Sequence, residues 1–170
     1  MNWEPFRLAP AGAHPDAPRS ISTHEGVGDR LRAAAFAELQ AREAFLWAAS
    51  HFEDATEDMR QGWKNLAHAE QFHLDWLLNR MVELKIDLQE RKVSDHLWLS
   101  LVSCKTAREF AFFIANAEER GRLAGERFYT SLKDKDSVTA EIFKKIADEE
   151  VHHVALARRF FPDYVPMAQP

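Results

Sequence analysis

Hydrophobic side chains recur at three- and four-residue spacing along four long stretches of the chain, which is typical of helices that bury one face. Proline is absent from Asp29 to Phe161 and glycine is rare there, so little in this region opposes helix formation. The chain is therefore expected to be all-α. The pattern predicts helices over residues 28–53, 57–86, 106–132 and 137–161.

Local signals mark the ends of these helices. Asp54 or Thr56 can cap the second helix, and Thr106-Ala-Arg-Glu109 is a capping-box sequence at the start of the third. Pro162 ends the fourth. Short turns separate the first helix from the second and the third from the fourth. We therefore expect two antiparallel helical hairpins.

A long connection, residues 87–105, separates the two hairpins. It is polar at first and then apolar (LWLSLV), and it can hold a short helix. Because ~28 residues of helix span ~42 Å, a chain that returns from one end of a bundle to the other needs this length. The prediction is a ferritin-like four-helix bundle, built from two hairpins joined by a long crossover.

The remaining segments are predicted to lie outside the helices. Residues 1–25 read as a Pro-rich arm, residues 26–162 as the bundle, and residues 163–170 as a C-terminal tail. The arm has no continuous apolar core and is not expected to be a secretory signal. No apolar run approaches the ~20 residues of a membrane span. We expect a cytoplasmic protein that does not contact a membrane.

Composition narrows the possible chemistry. The formal charge of −5 argues against a nucleic-acid partner, because binding to phosphates requires a basic surface. Cys104 is the single cysteine, so neither an internal disulfide nor a four-cysteine metal site can form within one chain. Any metal must be bound mainly through nitrogen and oxygen.

A Glu-x-x-His unit occurs in the second predicted helix, as Glu70 and His73, and again in the fourth, as Glu150 and His153. Residues three apart share one face of a helix, so both side chains of a unit can reach one metal ion. A single such unit is common in helical proteins. Its repetition in the two halves of the chain is the informative signal.

Each unit follows another glutamate at the same distance. Glu38 precedes Glu70 by 32 residues (70 − 38), and Glu118 precedes Glu150 by 32 residues (150 − 118). All of these side chains occupy positions where the apolar stripe of their helix would otherwise continue. The predicted metal ligands are Glu38, Glu70, His73, Glu118, Glu150 and His153.

Four carboxylates inside a bundle would repel one another and would cost several kcal/mol each to desolvate. Two divalent cations neutralise that charge. Two imidazoles and four carboxylates suit Fe, Mn or Zn better than Mg or Ca, and di-iron four-helix bundles use this ligand set. We expect two iron ions, with manganese or a mixed Mn/Fe pair as the alternative.

On three of the predicted helices, the helical periodicity leaves a neighbouring residue or pair as an alternative metal ligand. Glu149 and His152 form a second possible pair on the fourth helix, although their face would include Lys145. Glu119 competes with the preferred glutamate of the third helix, and Glu43 with that of the first. In the preferred register, Glu149 is either a surface acid or a hydrogen-bond acceptor for a ligating histidine.

Four segments resemble proteins of the ferritin-like superfamily, which includes bacterioferritins, rubrerythrins and di-iron oxygenases. They are more closely similar to a bacterial ferritin-like family of unknown function, whose motifs fall on the six predicted ligands. The family's His-Ile-Glu is Phe36-Ala-Glu38 here, and its Glu-Ala-Arg-Gly is Glu118-Glu-Arg-Gly. The segments are RLRAAAFAELQAREAF, HAEQFHLDWLLNRM, NAEERGRL and DEEVHHVALARRFF.

One of these segments, extended to NAEERGRLAGERF, is also similar to the third-helix motif of tRNA-modifying di-iron hydroxylases. These resemblances imply an oxidoreductase or hydroxylase that uses O2 or peroxide on an unknown substrate. A ferroxidase or iron-storage protein is the first alternative. A bundle that keeps metal only as a structural element of a binding module is the second. We expect a monomer or homodimer.

Overall fold

The structure is a computed structural model that describes residues 1–166. Four long helices and one short one follow in chain order, which confirms the all-α prediction. Within the described residues, the one pairing of extended backbone is an isolated bridge between Leu8 and Val93. The helices are α1 (His24–His51), α2 (Glu57–Glu83), α3 (His96–Val102), α4 (Ala107–Leu132) and α5 (Ser137–Phe160).

The four long helices form two hairpins side by side. α1 packs along α2, and α4 packs along α5, while α2 meets α5 and α1 meets α4 across the bundle. The crossover between α2 and α4 carries α3, which contacts both α1 and α4. The predicted topology is confirmed. No helix among residues 1–166 is both long enough and apolar enough to cross a membrane.

The helix caps agree with the sequence signals in part. Thr56 caps α2 and Thr106 caps α4, each by accepting a backbone hydrogen bond. Glu109 accepts from the backbone N–H of the residue before Thr106, one position earlier than in a capping box. Asp54 does not cap α2. Its carboxylate accepts from the backbone N–H of Ala107 at 3.1 Å and so ties the α1–α2 turn to the start of α4.

Apolar side chains form two main clusters, one toward each end of the bundle. Phe45, Trp63 and Phe110 belong to the first, and Phe36 and Leu77 to the second. Between them, the inward positions of all four long helices are occupied by carboxylates and imidazoles. The candidate site therefore divides the hydrophobic core at its middle.

The proline-rich N-terminal segment packs against α1, which begins at His24, inside the predicted arm. The rings of Trp3 and Phe6 are buried against Phe36, with ring centroids 5.4 and 5.0 Å away. Near the start of α1 the backbone passes close to Gly26. A Cβ there would lie 1.7 Å from a backbone carbonyl oxygen of the segment, so only glycine permits this approach.

The chain after α5 also returns to the bundle. Tyr164 is buried, packs on Phe112, and donates its hydroxyl to Asn116 Oδ1 at 3.0 Å. Asp163 pairs with Arg108 of α4. The first residues of the predicted C-terminal tail thus contact α4, whereas its residues 167–170 lie outside the described part of the chain.

Asp29 is a buried carboxylate that joins α1 to the N-terminal segment and the crossover. It accepts from Arg19 at 2.6 Å, from Arg91 at 2.8 Å and from Arg32 at 3.3 Å. Burial alone would raise the pKa of Asp29, but the hydrogen bonds from Arg19 and the charge of Arg91 hold it well below its usual value. The ionised form therefore stabilises the fold.

We expect Asp29→Asn to lower the free energy of unfolding by about 3 kcal/mol, because three arginines lose a buried partner. Since the folded-state pKa is depressed, this stabilisation is present above the unfolded pKa of ~3.9 and is lost as pH falls through the folded value. Urea unfolding at neutral and acidic pH measures the difference. Asp16→Asn is the control, because Asp16 faces Arg91 at 3.6 Å from an exposed position; equal losses in both variants would contradict the prediction.

Candidate metal centre

The four long helices bring all six sequence-predicted side chains into one buried cluster. Their ligand atoms include two overlapping sets of four residues, and within each set the atoms lie within 4.8 Å of one another. The two sets share Glu70 and Glu150. Their role as metal ligands stays a prediction. The first set is Glu38, Glu70, His73 and Glu150, and the second is Glu70, Glu118, Glu150 and His153.

The two sets are related by an offset of 80 residues. Glu118 follows Glu38 by 118 − 38 = 80, and His153 follows His73 by 153 − 73 = 80; the shared glutamates have the same offset (150 − 70 = 80). Each hairpin therefore supplies one histidine, one glutamate to a single set, and one glutamate to both. The arrangement has an approximate two-fold character.

Each shared glutamate presents one oxygen to each histidine. His73 Nδ1 lies 3.2 Å from Glu70 Oε2 and 3.2 Å from Glu150 Oε1. His153 Nδ1 lies 2.7 Å from Glu70 Oε1 and 3.1 Å from Glu150 Oε2. The imidazole rings are 5.4 Å apart. This is the placement expected for two ions bridged by two carboxylates.

Several of these atoms have no hydrogen-bond partner within residues 1–166. They include Glu70 Oε1, both carboxylate oxygens of Glu150, and His153 Nδ1. The atoms are near one another, as the 2.7 Å between His153 Nδ1 and Glu70 Oε1 shows, but they are not aligned as donor and acceptor. A buried polar atom without a partner costs about 1–3 kcal/mol. Buried oxygen and nitrogen atoms that converge without hydrogen-bonding to one another are suited to bind cations placed between them.

Comparison with known proteins identifies the family of this chain. A family model described as "Protein of unknown function (DUF455)" matches residues 6–168. The chain belongs to this family. The resemblance to a ferritin-like family of unknown function is thereby confirmed.

The DUF455 chain is also similar to a solved structure, that of the bacterioferritin-related protein from Bacteroides fragilis, described as a dodecameric thioferritin. The two share 22% sequence identity over 83% of this chain and 87% of that one, with a TM-score of 0.68. This likeness confirms the ferritin-like bundle. No curated protein sequence matches the DUF455 chain.

The four carboxyl groups of the cluster fall into two pairs, whose pKa values are shifted in opposite directions. Burial, reinforced by neighbouring carboxylates, raises the pKa of Glu38 and Glu118 well above the usual value. Burial acts in the same sense on Glu70 and Glu150, but their contacts with the histidines lower the pKa of both. The surroundings therefore favour the protonated form of one carboxyl pair and the ionised form of the other.

The histidines balance the ionised pair. Burial alone would lower the pKa of His153, but Glu150 and Glu70 raise it to about 10. The pKa of His73 is raised for the same reason, against the same effect of burial. Without metal, the imidazolium form of each histidine is therefore favoured, and its positive charge offsets the negative charge of the neighbouring carboxylates. Two divalent ions would neutralise all four carboxylates.

The competing residues lie outside the cluster. Glu43 pairs with Arg42, and Glu119 pairs with Arg122 at 2.7 Å. The salt bridge with Arg122 also lowers the pKa of Glu119. His152 is exposed on the outer side of α5. The register preferred from the sequence is therefore the one that the fold brings inward.

Glu149 has a separate position. Its Oε2 lies 3.1 Å from His73 Nε2, on the side of the ring opposite the cluster. If Nε2–H donates to this carboxylate, Nδ1 presents its lone pair to the metal position. Of the two roles that the sequence left open for Glu149, the structure places it in the one that orients a histidine.

A cavity beside the centre was not predicted from the sequence. It lies between α1 and α4, has a volume of about 270 Å³, and reaches Glu38, Glu118 and Glu150. The signal that could have indicated it is the concentration of alanine and glycine on the facing sides of these two helices. Such positions also occur in tightly packed pairs, so the spacing of the helices decides whether space remains.

We expect metal binding at neutral pH to release at least two protons per chain, from the two histidines, with further release from Glu38 and Glu118, whose raised pKa favours the protonated form. Calorimetric titration of the metal-free chain with Zn²⁺ in buffers of different ionisation enthalpy measures this number. Glu38→Gln should lower the number of protons released, because the amide has no acidic proton to lose. Glu43→Gln, outside the cluster, should leave it unchanged. Release of no more than one proton by the unmodified chain would contradict the charge assignment.

Glu149→Gln should weaken metal binding by about ten- to a hundredfold, because the acceptor that orients His73 becomes a weaker one. A competition titration with a coloured chelator measures the affinity. Asp148→Asn is the matched control: this neighbour is exposed and contacts Lys144 on the surface. If the two variants bind metal equally well, Glu149 has no orienting role.

Proposed function

We propose that this chain is a di-metal carboxylate protein that binds two iron ions and acts as an O2- or peroxide-dependent oxidoreductase. The observation that carries the proposal is the pair of buried glutamates, Glu70 and Glu150, each of which presents one oxygen to each histidine. Manganese would fit the same donor atoms. The ferritin-like fold is consistent with this use of the cluster.

In this proposal Glu70 and Glu150 would contribute to holding both ions. Glu38 and His73 would complete the ligands of one ion, and Glu118 and His153 those of the other. When bound, two ferrous ions supply two electrons, which with two protons reduce one peroxide to two water molecules, or provide half of the four electrons that O2 accepts, the remainder coming from a substrate.

Access to the centre supports catalysis over a purely structural site. The side chain of Glu38 is 13% exposed, whereas those of Glu70 and His73 are fully buried. The exposed side of Glu38 faces the cavity between α1 and α4. Structural metal sites are closed, and catalytic ones keep an open side. A small molecule can approach this cluster from one direction.

Iron handling is the second candidate function, and one observation favours it. A dodecameric thioferritin shares the fold over 83% of this chain. In this alternative the same cluster oxidises Fe(II) as its cargo. Light scattering discriminates between the two: a large closed assembly that accumulates ferric iron beyond the bound pair would support storage. A monomer or homodimer, which we propose, would exclude a cage.

We expect anaerobic Fe(II) titration to saturate at about two ions per chain, the number this architecture implies. On aerobic mixing, stopped-flow absorbance should show rapid oxidation up to that ratio. Glu70→Gln should abolish both results, because a nearly isosteric amide cannot bridge two cations as a carboxylate does. Glu43→Gln, whose side chain pairs with Arg42 outside the cluster, is the control. Circular dichroism verifies that each variant is folded, and absence of iron binding in the unmodified chain would end the proposal.

A further inference from the structure

The cavity between α1 and α4 is lined mainly by apolar side chains. Small residues face it from both helices, larger apolar side chains such as Phe128 and Phe143 form part of the remaining wall, and the charged side chains lie toward its ends. An apolar cavity of ~150 Å³ can hold benzene, so one of about 270 Å³ has room for a molecule of about ten non-hydrogen atoms. The small residues include Ala34, Ala37 and Ala41 of α1 and Ala117, Gly121 and Ala124 of α4.

The two ends of this cavity differ in charge. Glu38 and Glu118 of the candidate centre lie at the inner end. Arg30 and Phe128 lie at the other, and Arg30 is the one charged lining residue that does not belong to the cluster. Eight residues of helix separate Arg30 from Glu38, which corresponds to ~12 Å. A molecule in the cavity thus lies between a cation and a metal site.

Arg30 differs from the arginines near it in its polar contacts. Arg19, Arg32 and Arg91 each pair with Asp29. Arg30 donates one hydrogen bond, from Nη1 to the backbone oxygen of Arg19 at 3.0 Å, and its guanidinium lies 5.9 Å from the centre of the Phe128 ring. No carboxylate within residues 1–166 forms an ion pair with it. Most of its five N–H donors therefore remain available to a ligand.

We propose that this cavity binds a small amphipathic organic anion. Its acidic group pairs with Arg30, and its hydrocarbon part lies along the alanine-lined wall and ends beside Glu38 and Glu118. The guanidinium attracts the acidic group, and within the described residues the inner end of the cavity offers no cationic side chain, so a single orientation is favoured. This inference rests on the proposed function for the claim that the hydrocarbon end is the part that reacts.

The glycines of α4 provide a way to fill the cavity. A Cβ placed on Gly121 would meet no atom within 4 Å, whereas one on Gly125 would lie 3.0 Å from the backbone oxygen of Phe143. Gly121 can therefore accept a larger side chain without a clash at Cβ. Gly121→Ala adds the same backbone restriction as a larger residue and leaves most of the cavity open.

The test is calorimetric binding of octanoate, which has the estimated size, and of 1-octanol to the metal-free full-length chain. Arg30→Gln should weaken octanoate binding by about tenfold or more, because a charge-assisted hydrogen bond is lost. Binding of 1-octanol should be unchanged. Arg127→Gln, an exposed arginine of α4 that does not line the cavity, should affect neither ligand.

Gly121→Leu should weaken both ligands, whereas Gly121→Ala should not, and thermal unfolding verifies that all variants are folded. Equal octanoate affinities in Arg30→Gln and Arg127→Gln, or no saturable binding by the unmodified chain, would overturn the inference. Iron titration of the same preparation separates the two proposals. Bound iron without octanoate binding overturns only the cavity ligand, while octanoate binding without bound iron overturns the proposed function and with it the ligand's role as substrate.

Discussion

The whole bundle depends on keeping the charge of four buried carboxylates close to zero. In the metal-free cluster the raised pKa of both histidines and of Glu38 and Glu118 acts in this direction, and two divalent cations would neutralise the loaded cluster. Either state requires all four long helices to hold their side chains within a few ångströms. The hydrophobic clusters on both sides of the centre supply that rigidity, because each helix contributes apolar residues to them.

The helix pairs of the bundle differ in how closely they pack, and the loosely packed pair gives access to the candidate metal centre. α1 with α2 and α4 with α5 make extended contacts, whereas α1 and α4 touch at few points and leave a cavity. Large side chains there would have added buried apolar area to the core. The N-terminal segment and the crossover instead pack on α1 from outside and tie its first turns to the rest of the chain through Asp29. Contacts at the periphery of the bundle thus stabilise the fold, while the candidate metal centre remains accessible from the cavity.

The sequence predicted the four long helices and the register of the cluster, because a repeated Glu-x-x-His unit on an apolar stripe combines two independent signals. It did not predict that Trp3 and Phe6 are buried, since a proline-rich segment has no periodicity that indicates which surface it covers. The sequence offers Asp54 and Thr56 as alternative caps of the nearest helix; Thr56 takes that role, whereas the fold pairs Asp54 with Ala107, 53 residues away (107 − 54). The cavity depends on helix spacing, which no local pattern encodes.

The two halves of the centre match in their ligands but not in their surroundings. Glu149 contacts His73 from outside, and the residue 80 positions earlier, which would face His153 in a symmetric arrangement, is Ala69. An imidazole held by a carboxylate is the more basic ligand. The His73 side is therefore the more electron-rich of the two. A centre built from a duplicated pattern has in this way acquired a polarity across the bundle.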